Sequence, residues 1–236
     1  MCFNEPTSWI AFIGISLINI LSIFYIKEEK YTGIALSFQW VLMMQLFDAL
    51  AWHNQDCNST LNQIATRGAF LANVTQPIVV FLFLFLFSSS DSKPESIEQN
   101  QSPNQTEKNV SVFVVLFYIV WIINGSTNIK LNCLKKGDGC SNLDYYWWNS
   151  LNPAFIYHIS LGLIILLLLK PLKLGVVIVG IIMGTFVVSA LYYRCGVSSV
   201  WCFFAAFIPI FNVIAYKKLN KTQVETQPNI QPNTQA

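Results

Sequence analysis

Polar side chains set inside long apolar runs are where this sequence could do chemistry. Between Tyr31 and Trp52 stand Gln39, Gln45 and Asp48, and Gln45, Asp48 and Trp52 fall at i, i+3 and i+7, one face of a helix. Between Ile64 and Phe87, the residues Thr66, Ala69, Asn73 and Gln76 make a second face, small and polar. Pro77 follows it, and its missing N–H frees a carbonyl one turn earlier. Asn19 stands in the middle of the first apolar run. Polar groups inside a bilayer are costly, so each needs a reason. Two reasons are open. Asn19, Gln45, Asp48, Asn73 and Gln76 could line a pocket for a small polar solute, or they could hydrogen-bond helix to helix at about 0.6 kcal/mol per contact. Asp48 carries a further choice, between an ion pair with Arg67 and a titrating coupling site. His53 and His158 fall near helix ends and read as amphipathic tips rather than metal ligands.

Other chemistries lack their parts. The sequence holds no His-Glu-x-x-His, Gly-x-Ser-x-Gly, phosphate-binding glycine loop or Cys-x-x-Cys. An intramembrane hydrolase would need a cluster of histidines and carboxylates that is not there, and no lysine precedes Lys217 in the last apolar run to anchor a retinal. The expectation is a non-enzyme without cofactor or metal. A net charge of +2 with scattered basic residues gives no footprint for a nucleic acid.

The elements that carry these residues follow from composition. Of 236 residues, 54% are hydrophobic and only 11% charged, against about 25% charged in soluble domains. A bilayer is the solvent that accommodates this, so the lipid is the first partner. Nothing before the first run reads as a cleaved signal, since Glu5 replaces a basic segment and no small-x-small site follows. A spanning helix needs about 20 apolar residues. Trp9–Ile26, Tyr31–Trp52, Ile64–Phe87, Val110–Ile123, Pro153–Leu169, Leu174–Tyr193 and Val197–Tyr216 are the candidates. Val110–Ile123 spans only if flanking polar residues complete its helix. Residues 88–109, rich in Ser, Gln and Asn, read as a disordered linker, and 220–236 as a polar tail. The fold class predicted is all-α: one seven-span transmembrane helical bundle over residues 1–219.

Lysine and arginine placement sets the orientation. With the N-terminus outside, Lys27, Lys30, Lys93, Lys108, Lys170, Lys173, Lys217, Lys218 and Lys221 are cytosolic, and Arg67, Lys130, Lys135, Lys136 and Arg194 are outside. Cys57, Cys133, Cys140 and Cys195 then share the outer face, where disulfides form. Cys133 pairs with Cys140, or one of the two pairs with Cys57. Glycosylation sequons at Asn58 and Asn124 lie on the same face. The membrane occupied, whether endomembrane, plasma membrane or virion, stays open.

The chain also repeats. Ala11-Phe12-Ile13 and Ile15-Ser16-Leu17 recur, with one insertion, as Ala154-Phe155-Ile156 and Ile159-Ser160-Leu161. Each of these spans ends in a Lys-x-x-Lys turn, the next ends near Cys57 or Cys195, and the third carries Pro77 or Pro209. Four features in one order predict a 3+1+3 duplication: repeat one over 8–87, linker helix 110–123, outer loop 124–152, repeat two over 153–219. This plan resembles the PQ-loop and SWEET transporters, although the dipeptide here is Gln76-Pro77 rather than Pro-Gln. A second resemblance rests on Met44-Gln45-x-x-Asp48-x-x-x-Trp52, Cys57, Gln76-Pro77, and Gly196 with Trp201-Cys202-Phe203. These are similar to motifs of a multi-pass family of giant viruses and protists, in which Glu stands at the Asp48 position. That resemblance implies a membrane protein and no particular chemistry. The functional expectation is a small-solute transporter or channel; a seven-span receptor or scaffold, possibly viral in origin, suits the same layout.

Overall fold

The structure, a computed structural model, describes residues 4–26, 29–88, 103–126, 133–136, 143, 154–192, 207–211, 213–214 and 216–217. Cys140, Cys195, the expected tail 220–236 and most of the expected linker lie outside them. The described residues are helical: α1 (Glu5–Tyr25), α2 (Glu29–His53), α3 (Thr60–Val74), α4 (Gln76–Ser88), α5 (Gln105–Ser126), α6 (Ala154–Leu168) and α7 (Leu172–Tyr192). A single isolated bridge, Lys136 to Leu143, is the only sheet-like pairing among them.

Local signals set the ends. Asn4 caps α1 by accepting the Thr7 N–H (2.9 Å), with Pro6 in the first turn, where its missing donor costs nothing. Ser59 caps α3 in the same way through the Asn62 N–H (3.1 Å). The expected linker ends earlier than residue 109. Asn104 Oδ1 accepts the Glu107 N–H (2.8 Å) while Glu107 Oε2 accepts the Asn104 N–H (2.9 Å), a reciprocal cap that starts α5 at Gln105. The polar residues after it complete the short run at 110–123 into a helix of 22 residues.

Among the described residues, three helices are long and apolar enough to cross a membrane: Glu5–Tyr25, Tyr31–His53 and Gln105–Gly125. Helices α3 and α4 pass the same test as one span bent by 51°, and Phe155–Leu168 and Leu172–Val188 are shorter apolar helices. In α1 and α3 small and polar residues are buried while large apolar ones are exposed. In α1 the buried residues are Ser8, Ala11, Ile15, Ser16, Asn19 and Ser22, while Ile10, Ile13, Leu17, Leu21 and Phe24 are exposed. In α3, Asn62, Ala65, Thr66, Ala69, Ala72 and Asn73 are buried, with Ile64 and Leu71 turned outward. Small and polar faces meet each other and branched apolar faces point away, an arrangement compatible with a lipid surround.

Helix α1 packs on α2, α2 on α3 and α4, α4 on α5 and α6, and α6 on α5 and α7. The returning chain reaches the first helices again: Phe207 and Ile210 pack on Ile15 and Leu42, and Tyr216 meets Tyr31 edge-on at 5.3 Å between ring centroids. Close approach depends on glycine at Gly33, where a Cβ would lie 2.9 Å from Phe87 Cβ and 3.2 Å from the Phe83 carbonyl oxygen. Gly68 likewise faces the Phe47 ring. The Gly180–Gly184 pair, which reads in the sequence as a helix-packing motif, does not pack: no described atom comes within 4 Å of a Cβ built at either.

Gly33→Ala should therefore wedge α2 from α4 and lower unfolding stability by about 1–3 kcal/mol. Gly14→Ala, with open space around it, should gain about 0.5–1 kcal/mol from helix propensity. Denaturant or thermal unfolding of the two variants in micelles checks the opposite signs.

Candidate functional site

The five candidate residues, Asn19, Gln45, Asp48, Asn73 and Gln76, are all fully buried. Asn19 belongs to the contact of α1 with α2, where its Nδ2 donates to the Ala35 carbonyl (2.6 Å) and to Gln39 Oε1 (3.1 Å). Gln39 Nε2 donates in turn to Ser16 Oγ (2.9 Å), so three polar side chains and one carbonyl tie two helices together.

Gln45 and Asp48 lie on α2 nearer the end that carries Cys57, which we term the cysteine end. Phe47 faces Gly68, and Trp40, two turns further along α2, reaches Thr75. In that register Asn73 lies roughly one turn, ~5 Å, beyond Gln45. The ion pair considered for Asp48 does not form. Asp48 is buried while Arg67 is exposed on α3, in the outward stripe with Ile64 and Leu71. Depth brings Arg67 level with Asp48, but each residue turns the helix by about 100°, and the buried neighbour is Thr66.

Asn73 and Gln76 flank the junction of α3 and α4, and the site builds outward from there. Pro77 has no N–H to return to the Asn73 carbonyl, so the helix breaks; the Thr75 N–H closes α3 on the Leu71 carbonyl (3.1 Å). Three consecutive residues of the break are each met by a side chain from another helix. Tyr118 of α5 donates its hydroxyl to the Val74 carbonyl (2.9 Å). Trp40 of α2 donates its indole N–H to Thr75 Oγ1 (3.0 Å). Tyr157 of α6 donates to Gln76 Oε1. Gln76 Nε2 has no hydrogen-bond partner among the described residues. Exchanging the amide's oxygen and nitrogen would move the vacancy to the oxygen without filling it. Neither tyrosine nor the tryptophan stands out in the sequence, because aromatic residues on apolar helices look like packing until a backbone break supplies acceptors.

His158 departs from its expected role as an interfacial tip. It is buried, with its ring 4.9 Å from that of Tyr157 and 3.9 Å from that of Phe186. His53 is exposed and pairs with Glu5 Oε1 at 2.9 Å, tying the start of α1 to the end of α2. No group of three metal-ligating side chains occurs among the described residues. At the opposite end, Lys170 Nζ meets Glu107 Oε1 at 2.6 Å and links the α6–α7 turn to the start of α5.

The cysteine end is held covalently. Cys57 is disulfide-bonded to Cys133, with 5.3 Å between their Cα atoms, which takes the inter-loop alternative over a Cys133–Cys140 pair. Asn58 is exposed in the turn before α3, whereas Asn124 lies inside the last turn of α5 rather than in a loop. Comparison with known proteins finds no family model, no curated protein and no solved structure that matches the chain.

Two outcomes follow. Tyr118→Phe leaves the Val74 carbonyl buried without its donor and should lower stability by about 1–3 kcal/mol. Tyr25→Phe, on a side chain 83% exposed, should change it by less than about 0.5 kcal/mol; unfolding curves compare the two. Digestion without reduction should release the Cys57 and Cys133 peptides as one linked species, detected by mass, which separates only on adding a reductant.

Proposed function

We propose that the chain is an integral seven-span membrane protein that passes a small polar solute along the buried polar face of α3, with the α3–α4 break as its binding point. Gln76 carries this reading. It is a fully buried amide at a broken helix, bonded on one side by Tyr157 and with no partner among the described residues on the other. Discontinuous helices at mid-membrane are where transporters place substrates, because an interrupted backbone offers polar groups that a continuous helix consumes. Asn62, Thr66, Asn73 and Gln76 follow one another down the same face of α3 and into the break, all buried.

The 3+1+3 plan gains support from a reciprocal contact. The first helix of the second unit reaches the break of the first, Tyr157 to Gln76. The first helix of the first unit, through Ile15, shares a core cluster with Phe207 and Ile210, beside Pro209. The disulfide favours placing the cysteine end, and with it the N-terminus, outside. The likeness to PQ-loop and SWEET transporters and to the giant-virus and protist family belongs to the same proposal.

A receptor or scaffold without transport is the second reading. It draws on α1, whose Ser16 and Asn19 are engaged with α2 and which makes no extensive contact with α3. Flux of small polar solutes in reconstituted vesicles separates the two readings. Under the transport reading, Gln76→Leu abolishes flux per folded molecule. Under the other, no solute crosses faster than in empty vesicles, or flux per folded molecule persists in the variant; in both, loss of the bond from the Tyr157 hydroxyl lowers stability by about 1 kcal/mol. Tags at the N-terminus and within residues 88–109 should report opposite faces of the membrane; accessibility from one face would contradict the topology.

A further inference from the structure

The polar face of α3 is covered at the cysteine end by a short piece of chain, Cys133–Lys136. Leu134 is fully buried there. Its N–H donates to Thr66 Oγ1 (2.8 Å) and its carbonyl accepts from Asn62 Nδ2 (2.7 Å). Thr66 Oγ1 donates to Asn62 Oδ1 (3.1 Å), which closes a ring of hydrogen bonds between the segment's backbone and the first two polar residues of the stripe. Asn62 Nδ2 also donates to the Asn54 carbonyl (2.8 Å). Two residues on, the Lys136 N–H donates to Gln55 Oε1 (2.7 Å). On the other side of Leu134, Cys133 is bonded to Cys57.

The chemistry of these contacts is that of a removable cover. Asn62 and Thr66 use side-chain groups, not helix backbone, to hold Leu134. If the segment leaves, α3 stays intact and the vacated groups can take water or solute instead. A covering element built from apolar contacts alone would expose a dry face on leaving. The disulfide raises the local concentration of the segment at its seat, so the cover stays closed while the bond is intact.

We propose that Cys133–Lys136 is a plug over the outer end of the α3 polar stripe and that the Cys57–Cys133 disulfide is its latch. A thiol reductant opens the latch: two thiols of the reductant give two electrons and two protons to the S–S bond, leaving Cys57 and Cys133 as thiols and the reductant as its own disulfide. The plug then exchanges out of its seat and water-soluble molecules reach the stripe. This rests on the transport reading in taking the stripe as a solute path.

A cysteine at Ala69, buried on the stripe one turn below Thr66, is the reporter. Full-length Ala69→Cys protein in lipid vesicles is treated with a charged, membrane-impermeant methanethiosulfonate. Labelling is read by mass on the peptide that contains position 69, so that Cys57 and Cys133 do not contribute. We expect negligible labelling in the oxidised protein and a rise in rate of at least about tenfold after thiol reduction and removal of the reductant. Leu134→Ala, which keeps the disulfide and the backbone bonds but removes the stopper, should raise the rate with no reductant. Unchanged labelling under both conditions overturns the plug. A rise with Leu134→Ala but none on reduction overturns the latch. Solute flux recorded in the same vesicles keeps the two claims apart: flux with position 69 unreactive throughout contradicts the plug alone, and gated labelling without flux contradicts transport alone.

Discussion

Pro77 cannot donate a backbone hydrogen bond to the Asn73 carbonyl, so the chain bends between α3 and α4. Three described helices meet the bend, one at the Val74 carbonyl and two at the side-chain oxygens of Thr75 and Gln76. Trp40 from α2, Tyr118 from α5 and Tyr157 from α6 each reach one of three successive residues, Thr75, Val74 and Gln76. A tyrosine or tryptophan suits this task because it carries a single polar atom at the end of a large apolar body. The ring packs among neighbouring helices as any apolar group would, and only its tip is committed to the break. Helices distant in sequence are thereby tied to one point at which the α3–α4 span bends by 51°.

Hydrogen bonds between helices are individually weak in lipid, about 0.6 kcal/mol on average. The Asn19, Gln39 and Ser16 ladder and the three bonds at the break therefore fix register and orientation more than they hold the bundle together. Close packing has to do the rest. It is provided where small residues let backbones approach, at Gly33 against α4, at Gly68 against α2 and along Ala65, Ala69 and Ala72. The same small residues stand among the polar residues of the α3 stripe on which the functional proposal depends. Gln76 Nε2 is buried with no hydrogen-bond partner among the described residues, and so are Ser8 Oγ and Asn19 Oδ1. A native interior rarely leaves a buried amide half bonded without cause.

Much of this was legible in the residues. Apolar runs gave the helices, and Gln76-Pro77 marked the break, because proline acts locally and through the backbone. The inward faces of α1 and α3 follow from 3.6-residue spacing alone. What escaped the sequence was azimuth, partner and cap. Arg67 stands at the depth of Asp48 but on the other side of its helix, and a depth count carries no angle. Leu134 looks like one residue of a polar loop, and only the side chains of Asn62 and Thr66, far away in sequence, explain its burial. The Asn104–Glu107 cap was hidden because the stretch around it is polar on every side, although asparagine followed three residues later by glutamate was the readable signal. The choice of Cys57 for Cys133 depended on which loops meet, which the order of cysteines does not encode.

A double-mutant cycle on Tyr157 and Gln76 tests the central claim, that the bundle is organised by side chains bonded to the α3–α4 break. Tyr157→Phe, Gln76→Leu and the double variant are compared with the parent by reversible unfolding in micelles. If the bond holds α6 to the break, the two substitutions couple favourably, by about 0.6–1.7 kcal/mol for a hydrogen bond between membrane helices. Strict additivity, with no coupling beyond about 0.3 kcal/mol, would mean that the break is not what holds α6 in place.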